Sequence, residues 1–550
     1  MSGKPDNLSL STPYIPSNAP GIRNNKKTGQ DSSVPNKSER TLAKIGYVPP
    51  LSSPPIKLRK SIIPERKYDF EIPPDPIPSC NIKKHIDAEV VVIGAGVAGL
   101  SAALSASEAG AKTVLLEKMA TIQARGHDNA FIDSRLQKKL GIEIDKDEVI
   151  LNLMKYGSNK PNQRLIRMWA EGSGETADWL MDMTDAAGIG VIICKYPPPP
   201  VFDNATEYYP QYSATHQYQS EHLMAKCLLD NAVKKGVVTY FKTRVKQLLR
   251  KEKGRVTSVI AIDATGEYLQ FNATKAVILC TGDYGNNAEM MAKFCPQSSY
   301  LASMIPTSTG DGHMMAMWIG AVMEPGPHAP MIHGPAGPLL SSAFLQVNLM
   351  GERFQNEDVP IQSNINAVER QPGKTAWQVF DSKYPEEIPY HGIGLGKIII
   401  ATEKIQQEVA KVSKTANSIE ELAIKMKLPV KTFKATVNRY NKLAGLGKDL
   451  DFGKRPDRLS PIDRPPFYAG KNSYSLLAVM GGLNINTNLQ PLDKDWKVIP
   501  GLYIAGNTMG NLFAGDYPTM CPGLSHGMAI HFGRIAGLNA ASEKIKSTLY

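Results

Sequence analysis

The sequence predicts an α/β fold in which a parallel-sheet domain is interrupted by an inserted α+β cap and preceded by an irregular N-terminal extension. Three observations carry this. The run Glu89-Val-Val-Val-Ile93 has the continuous β-branched composition of a strand buried on both faces, and it leads directly into a glycine-rich turn and an alanine-rich helix. Helical and strand-like segments alternate after it. Amphipathic helical patterns through about 401–445 then stand between that region and a return to strand-like runs at 476–505, which places an insertion inside the domain.

Taken in order, residues 1–80 carry 14 of the 40 prolines and no sustained hydrophobic periodicity, which reads as an extension rather than a domain. Its last part, Tyr68 to Pro78, mixes proline with apolar residues and is expected either to lie extended across the folded body or to form a flexible leader. Order is expected from Ala88. Helices are predicted near 100–109, 162–187 and 219–235, and strands at 112–117, 237–241, 256–262 and 276–280. The Pro-, Gly- and Met-rich stretch around 323–340 reads as loop. No fixed-period repeat is present.

A chain of 550 residues is long enough for two or three folded units, and 42% hydrophobic with 21% charged residues is ordinary for a globular protein. The net charge of +11 includes +5 from residues 1–80, where 12 Lys/Arg face 7 Asp/Glu. With no aromatic-interleaved basic motif, that charge is read as a solvated surface and not as a nucleic-acid interface. The six cysteines (Cys80, Cys194, Cys227, Cys280, Cys295 and Cys521) show no metal, haem or cluster spacing, so free thiols are expected and no metal site. No apolar window approaches 18 residues and no export signal is readable, so a cytoplasmic protein without a transmembrane segment is expected.

The chemistry begins at Gly94-Ala-Gly96-Val-Ala-Gly99, which follows the first strand and opens the helix Leu100 to Glu108. Gly94 permits the tight turn, Gly96 lets backbone approach a pyrophosphate, and Gly99 lets helix and strand pack closely. The helix amino end meets the phosphate charge with free N–H groups. Glu117 lies 23 residues beyond Gly94 at the end of a second strand, placed to accept bonds from ribose hydroxyls. Strand, turn, helix, strand and acid in this order define a Rossmann-like dinucleotide cradle. By contrast, Gly392-Ile-Gly394-Leu-Gly396-Lys397 follows no strand and reads as a flexible loop.

Five further segments resemble one flavoprotein family, that of fumarate reductases, succinate dehydrogenases and 3-oxosteroid dehydrogenases. They are Ala276-Val-Ile-Leu-Cys-Thr281-Gly282, Thr309-Gly310-Asp311-Gly312, Gly351-Glu-Arg353-Phe-Gln-Asn356-Glu357, and Gly501-Leu-Tyr-Ile-Ala-Gly506-Asn507 with Phe532-Gly533-Arg534-Ile-Ala-Gly537 closing the chain. Asp283 stands where glycine is usual, and Arg125 to Asn129 departs from the usual glycine pair. The resemblance implies FAD as cofactor, in a discontinuous domain of residues 85–327 and 476–550, with an extension over 1–84 and a cap over 328–475. Carried over position by position, it implies FAD contacts from Gly94, Gly96, Gly99, Glu117, Lys118, Asn129, Val245, Thr281, Gly282, Asp311, Asn507, Gly523 and Ser525.

The resemblance also locates departures. The family's proton-delivering arginine and a substrate-holding histidine are replaced by Ile361 and Ala478, and no arginine occurs in Asn511–Pro522. A doubly charged substrate would leave buried carboxylates uncompensated, which disfavours fumarate and succinate. Gly515-Asp-Tyr517-Pro-Thr-Met-Cys-Pro-Gly523-Leu-Ser525 is nearer the 3-ketosteroid and enone or enoate reductase branches, making Tyr517 the candidate proton donor or acceptor. His328 and His333 are candidates to bond a substrate carbonyl or carboxylate at the cap entrance. Arg353 is read as a structural ion pair with Glu357 or a neighbour. Pro197–Pro200 with Tyr208, Tyr209 and Tyr212 reads as a loop over the site.

The expected function is FAD-dependent reduction of a C=C bond conjugated to a carbonyl or carboxylate, by hydride transfer from flavin N5. Two alternatives stand beside it: a 3-ketosteroid-type dehydrogenase running oxidatively, and a flavoprotein subunit without catalysis. With no second nucleotide cradle, haem motif or cluster cysteines, electrons are expected from an external redox protein or reduced flavin.

Overall fold

The computed structural model describes residues 68–124, 128–193, 213–333, 338–339, 342–391, 403–519 and 521–543, all within the unit that begins at Lys67. The extension before Tyr68, the Arg125–His127 segment, the Pro197–Pro200 run with Tyr208, Tyr209 and Tyr212, and the Gly392–Lys397 glycines lie outside the described residues. The Tyr68 to Pro78 stretch is held against the body. Phe70 is buried, Trp318 Nε1 donates to its carbonyl (2.9 Å), and Gln247 brackets the backbone at Asp75 and Ile77.

A seven-stranded sheet forms the centre. Its parallel part runs Val238–Tyr240, Thr113–Leu116, Ile82–Ile93 and Tyr268–Leu279, with Leu502–Ile504 pairing onto the last residues of Tyr268–Leu279. Val256–Ile262 and Arg244–Arg250 form an antiparallel meander on the first half of that long strand. Val90, Val91 and Val92 have no exposed surface, as their β-branched run requires. The first strand starts at Ile82 rather than Ala88. Its first half is Lys-, His- and Asp-bearing and mostly solvent-facing, so it carries no apolar run for a sequence reading to find.

Two helices on one face of the sheet meet backbone to backbone. Val97–Glu108 is buried along ten of its residues, and Leu524–Ser542 crosses it through small residues. A methyl group added to Gly533 would lie 2.3 Å from the Ala98 carbonyl oxygen, and one on Gly537 would lie 2.3 Å from that of Ala102. No side chain fits at either contact.

The inserted part has its own sheet, in the order Leu345–Val347, Trp377–Asp381, Phe467–Lys471 and Lys414–Ala416, all antiparallel. Helices Ile419–Met426 and Val430–Gly445 supply Leu422, Phe433, Val437 and Tyr440 to a core separate from that of the main sheet. The stretch read as loop around 323–340 contains a strand, Ala329–His333, paired antiparallel with Ser475–Met480. Its prolines mask the pattern.

One cluster of charge buried in the insert is closely paired. Arg353 meets Glu357 through Nε and Nη2 (2.9 Å each) and Asp449 through Nη1 and Nη2 (3.1 and 2.8 Å), and its guanidinium lies over the Tyr440 and Phe452 rings. Lys454, with no exposed surface, adds a second cation 3.3 Å from Glu357. Removing one member of such a cluster strands the others without solvent. Arg353→Ala is expected to cost about 3–5 kcal/mol of unfolding free energy, read by urea denaturation; a loss under about 1 kcal/mol would mean that the carboxylates find other partners.

Candidate cofactor and active site

Each cradle glycine has a distinct reason to lack a side chain. Gly94 sits at φ +104°, and a methyl group there would stand 2.3 Å from the Cys280 carbonyl oxygen. A methyl group on Gly99 would stand 1.8 Å from the Gly94 oxygen, so Gly99 locks helix to turn. Gly96 differs. It caps the helix in an extended conformation open to any residue, and the nearest atom to an added methyl group is Gln123 O at 3.5 Å. Space there is reserved for something other than protein.

Glu117 is buried at the end of the strand Thr113–Leu116, and its carboxylate braces the turn: Ala95 N donates to Oε2 (2.7 Å) and Met119 N to Oε1 (2.8 Å). Each oxygen keeps a lone pair for a hydroxyl. Beside it, Lys118 Nζ bonds Thr307 O, Thr309 Oγ1 and Asp311 Oδ2 (2.8–3.0 Å), and Arg244 Nη2 meets Asp311 Oδ1 at 2.9 Å. Burial alone would raise the Asp311 carboxyl, but Lys118 and Arg244 outweigh it and hold it below the usual range. Across the sheet, Thr508 Oγ1 accepts from Thr281 N and donates to Gly282 O (3.0 Å each), tying the turn Gly506–Thr508 to the end of Tyr268–Leu279.

These elements enclose a cleft of about 950 Å³, counting the solvent it opens to. Of the residues expected to contact FAD, Gly94, Gly96, Glu117, Lys118, Val245, Thr281, Gly282, Asp311 and Asn507 line it. Gly99, Asn129, Gly523 and Ser525 do not. Asn129 is fully buried with Nδ2 on Glu221 Oε2 (3.1 Å), and Gly523 packs backbone against Asp128 and Asn129. Gln123, Thr243, Arg244, Thr307, Met315, Gly506, His526 and Ala529 line the cleft without having been anticipated. His526 and Ala529 share one face of the closing helix at i,i+3 spacing, a pattern readable once the helix start at Leu524 is known.

The expected catalytic residues are not brought together. Tyr517 is buried, and Ser525 N, in the first turn of the closing helix, donates to its Oη at 3.2 Å. Burial pushes this phenol up to about 12 against the opposing effect of the Ser525 bonds, so it stays neutral. His328 is 2% exposed and stacks on Phe294; its Nδ1 meets Tyr284 Oη at 2.6 Å and its Nε2 meets Glu324 O at 3.1 Å. Both ring nitrogens are engaged, which leaves none for a substrate, and burial depresses the imidazole to about 4. His333 ends the strand Ala329–His333 opposite Ser475, and its side chain lies outside the described atoms. Ile361 packs in the cluster with Ile332, Leu476 and Val479, and Ala478 is buried in the paired strand.

A parallel sheet, a side-chain-free phosphate approach and an acidic strand end opening on one cleft define a dinucleotide-binding flavoprotein. The chain belongs to the FAD binding domain family, whose match covers residues 89–521, and FAD is its cofactor. It is similar to vinyl phenol reductase of Lactiplantibacillus plantarum, 29% identical over 84% of this chain and 97% of that one. It is similar also to fumarate reductase (cytochrome) of Shewanella frigidimarina, 29% identical over 84% of this chain and 78% of that one. Among solved structures, a 3-ketosteroid-delta4-(5alpha)-dehydrogenase from Rhodococcus jostii RHA1 superposes with a TM-score of 0.67 at 25% identity, covering 83% of this chain and 97% of that one. The chain is a FAD-dependent oxidoreductase. No helix among the described residues is long and apolar enough to cross a membrane, and no group of His, Cys, Asp or Glu among them is arranged to hold a metal. Cys80, Cys227, Cys280, Cys295 and Cys521 are free thiols.

Two measurements check this geometry. Gly96→Val is expected to cost the apoprotein no more than about 1 kcal/mol yet weaken FAD at least tenfold on titration, whereas Gly94→Val loses both fold stability and FAD. Equal effects on folding would remove the distinction. The second concerns Glu324, which accepts from Gly482 N (3.1 Å) and Asn511 N (2.7 Å) and which burial raises from 4.5 to about 8. A raised carboxyl pKa means that the folded state holds a proton the unfolded state has released, so stability falls as pH climbs from about 4.5 to about 8. Thermal unfolding across that window should show a decline that is smaller in Glu324→Gln; an unchanged slope would assign it elsewhere.

Proposed function

We propose that this enzyme reduces a C=C bond conjugated to a carbonyl, a carboxylate or an aromatic ring, on a substrate that is not a dicarboxylate. The observation that carries the reading is Tyr517, a neutral buried phenol whose oxygen accepts from the first turn of the closing helix and whose own proton is left to give. Bound FAD supplies the hydride at its N5. Tyr517 then holds the proton for the neighbouring carbon, and the Ser525 amide stabilises the phenolate that forms when the proton leaves. Gly94, Gly96 and the helix amides fix the dinucleotide; Glu117 orients its ribose. Apolar Ile361 and Ala478, where the related reductases carry cations, favour an uncharged or singly charged substrate. The similarity to vinyl phenol reductase supports the same class, since a vinyl group on a phenol is neutral and conjugated. Electrons come from an external donor.

The ketosteroid dehydrogenase likeness favours the oxidative direction as a second reading. Dithionite-reduced protein, mixed anaerobically with an enone, an enoate and a 4-vinylphenol, is expected to be reoxidised by at least one, and Tyr517→Phe to slow that step by about 10²-fold or more with FAD still bound. Reoxidation by none, with bleaching of the oxidised flavin by a saturated 3-ketosteroid, would establish the second reading. No response to either would leave a flavoprotein without this catalysis.

A further inference from the structure

The residue least explained by the cradle is His526. It lies in the first turn of the closing helix, lines the cleft, and is backed by a buried carboxylate on another element. Glu221, 8% exposed at the start of the helix Glu221–Lys234, places Oε1 2.9 Å from His526 Nδ1. Asn129 completes the arrangement: its Nδ2 donates to Glu221 Oε2 (3.1 Å) and its Oδ1 lies 3.3 Å from the same imidazole nitrogen. Both neighbours of Nδ1 are acceptors, so Nδ1 carries hydrogen and the tautomer is fixed. Nε2 is therefore the polar atom that the ring has to offer the cleft.

The carboxylate side is incompletely satisfied. His526 Nδ1 has one hydrogen facing two acceptors, Glu221 Oε1 and Asn129 Oδ1, so the buried Oε1 has a donor beside it but no well-aligned bond of its own. The structure thus builds, at the amino end of a helix, a histidine held from behind by an anion and turned toward the space the cofactor fills, much as outer partners orient metal-bound imidazoles.

We propose that His526 is a cofactor-tuning residue. Its Nε2 contacts bound FAD and, when it carries a proton, donates to it, so that the reduced, more negative cofactor is held more tightly than the oxidised one. Glu221 and Asn129 are positioning residues that act through His526. Besides Glu221, the ionisable groups near this turn include Asp128, on the strand that packs against Gly523, Tyr517 and Cys521. No substrate enters the inference, so it stands or falls separately from the reaction proposed above.

The test uses the full-length holoenzyme, with the FAD midpoint potential followed spectroelectrochemically and FAD affinity by titration of the apoprotein. His526→Leu is expected to lower the ratio of reduced to oxidised affinity about tenfold, a potential about 30 mV more negative for a two-electron couple. His526→Gln, which keeps a donor near the Nε2 position, should recover at least half of that shift, and it carries the test if the leucine variant does not fold. Glu221→Gln should alter the potential in the wild-type background and lose that effect in the His526→Leu background, as groups acting through one another are non-additive. Wild-type potentials in both His526 variants would overturn the proposal. An undiminished Glu221→Gln shift without His526 would also overturn it, since the carboxylate would then act by its own charge.

Discussion

The structure depends on backbone approaching backbone where a dinucleotide must be held. Gly99 against the Gly94 carbonyl, Gly94 against Cys280, and Gly533 and Gly537 against Ala98 and Ala102 form one continuous set of contacts in which added methyl groups would come within 1.8–2.3 Å of carbonyl oxygens. They set the height of the opening helix above the sheet, and hence where its free amides point. The closing helix, from the far end of the chain, is pressed on the same helix and so has its own amino end at the same cleft. A discontinuous domain follows from this: the last segment must return to complete a site begun more than 400 residues earlier.

Legibility in the sequence follows from how local each constraint is. The cradle was readable because strand, turn, helix and acid lie within residues 89–117, and the periodicity of each is unmixed. Helices at 163–186 and 221–234 were likewise visible, being long and amphipathic. The strand Ala329–His333 was not, because its pairing with Ser475–Met480 is a long-range event and its prolines carry a loop signal. The first half of Ile82–Ile93 was missed for a related reason: it is held by hydrogen bonds to Tyr268–Asn272 rather than by burial, and hydrogen bonding leaves no hydrophobic pattern.

The site shows the same division. Most residues carried over by resemblance line the cleft, whereas Asn129 and Gly523 pack beside it. His328 illustrates how a polar residue in a promising segment is absorbed: Tyr284, Phe294 and the Glu324 carbonyl surround it, and Gly481 has no room for a methyl group beside its ring. His526 went unnoticed because its significance lies in Glu221, which is remote in sequence and gives no local signal.

Buried charge is used differently in the two parts of the molecule. In the insert, Arg353, Lys454, Glu357 and Asp449 neutralise one another completely, which makes a rigid body with no polar atom of Arg353 left to offer a ligand. Around the cleft the pairing is looser: Glu221 Oε1 shares the single Nδ1 hydrogen of His526 with Asn129, and the Tyr517 oxygen accepts from the Ser525 amide. Both lie beside the first turn of one helix, whose dipole favours negative charge. Under the reaction proposed above, a reduced cofactor and a Tyr517 that gives up its proton would each add negative charge in that neighbourhood. The positive end of Leu524–Ser542 and the His526–Glu221 pair are the groups placed to respond to such a change.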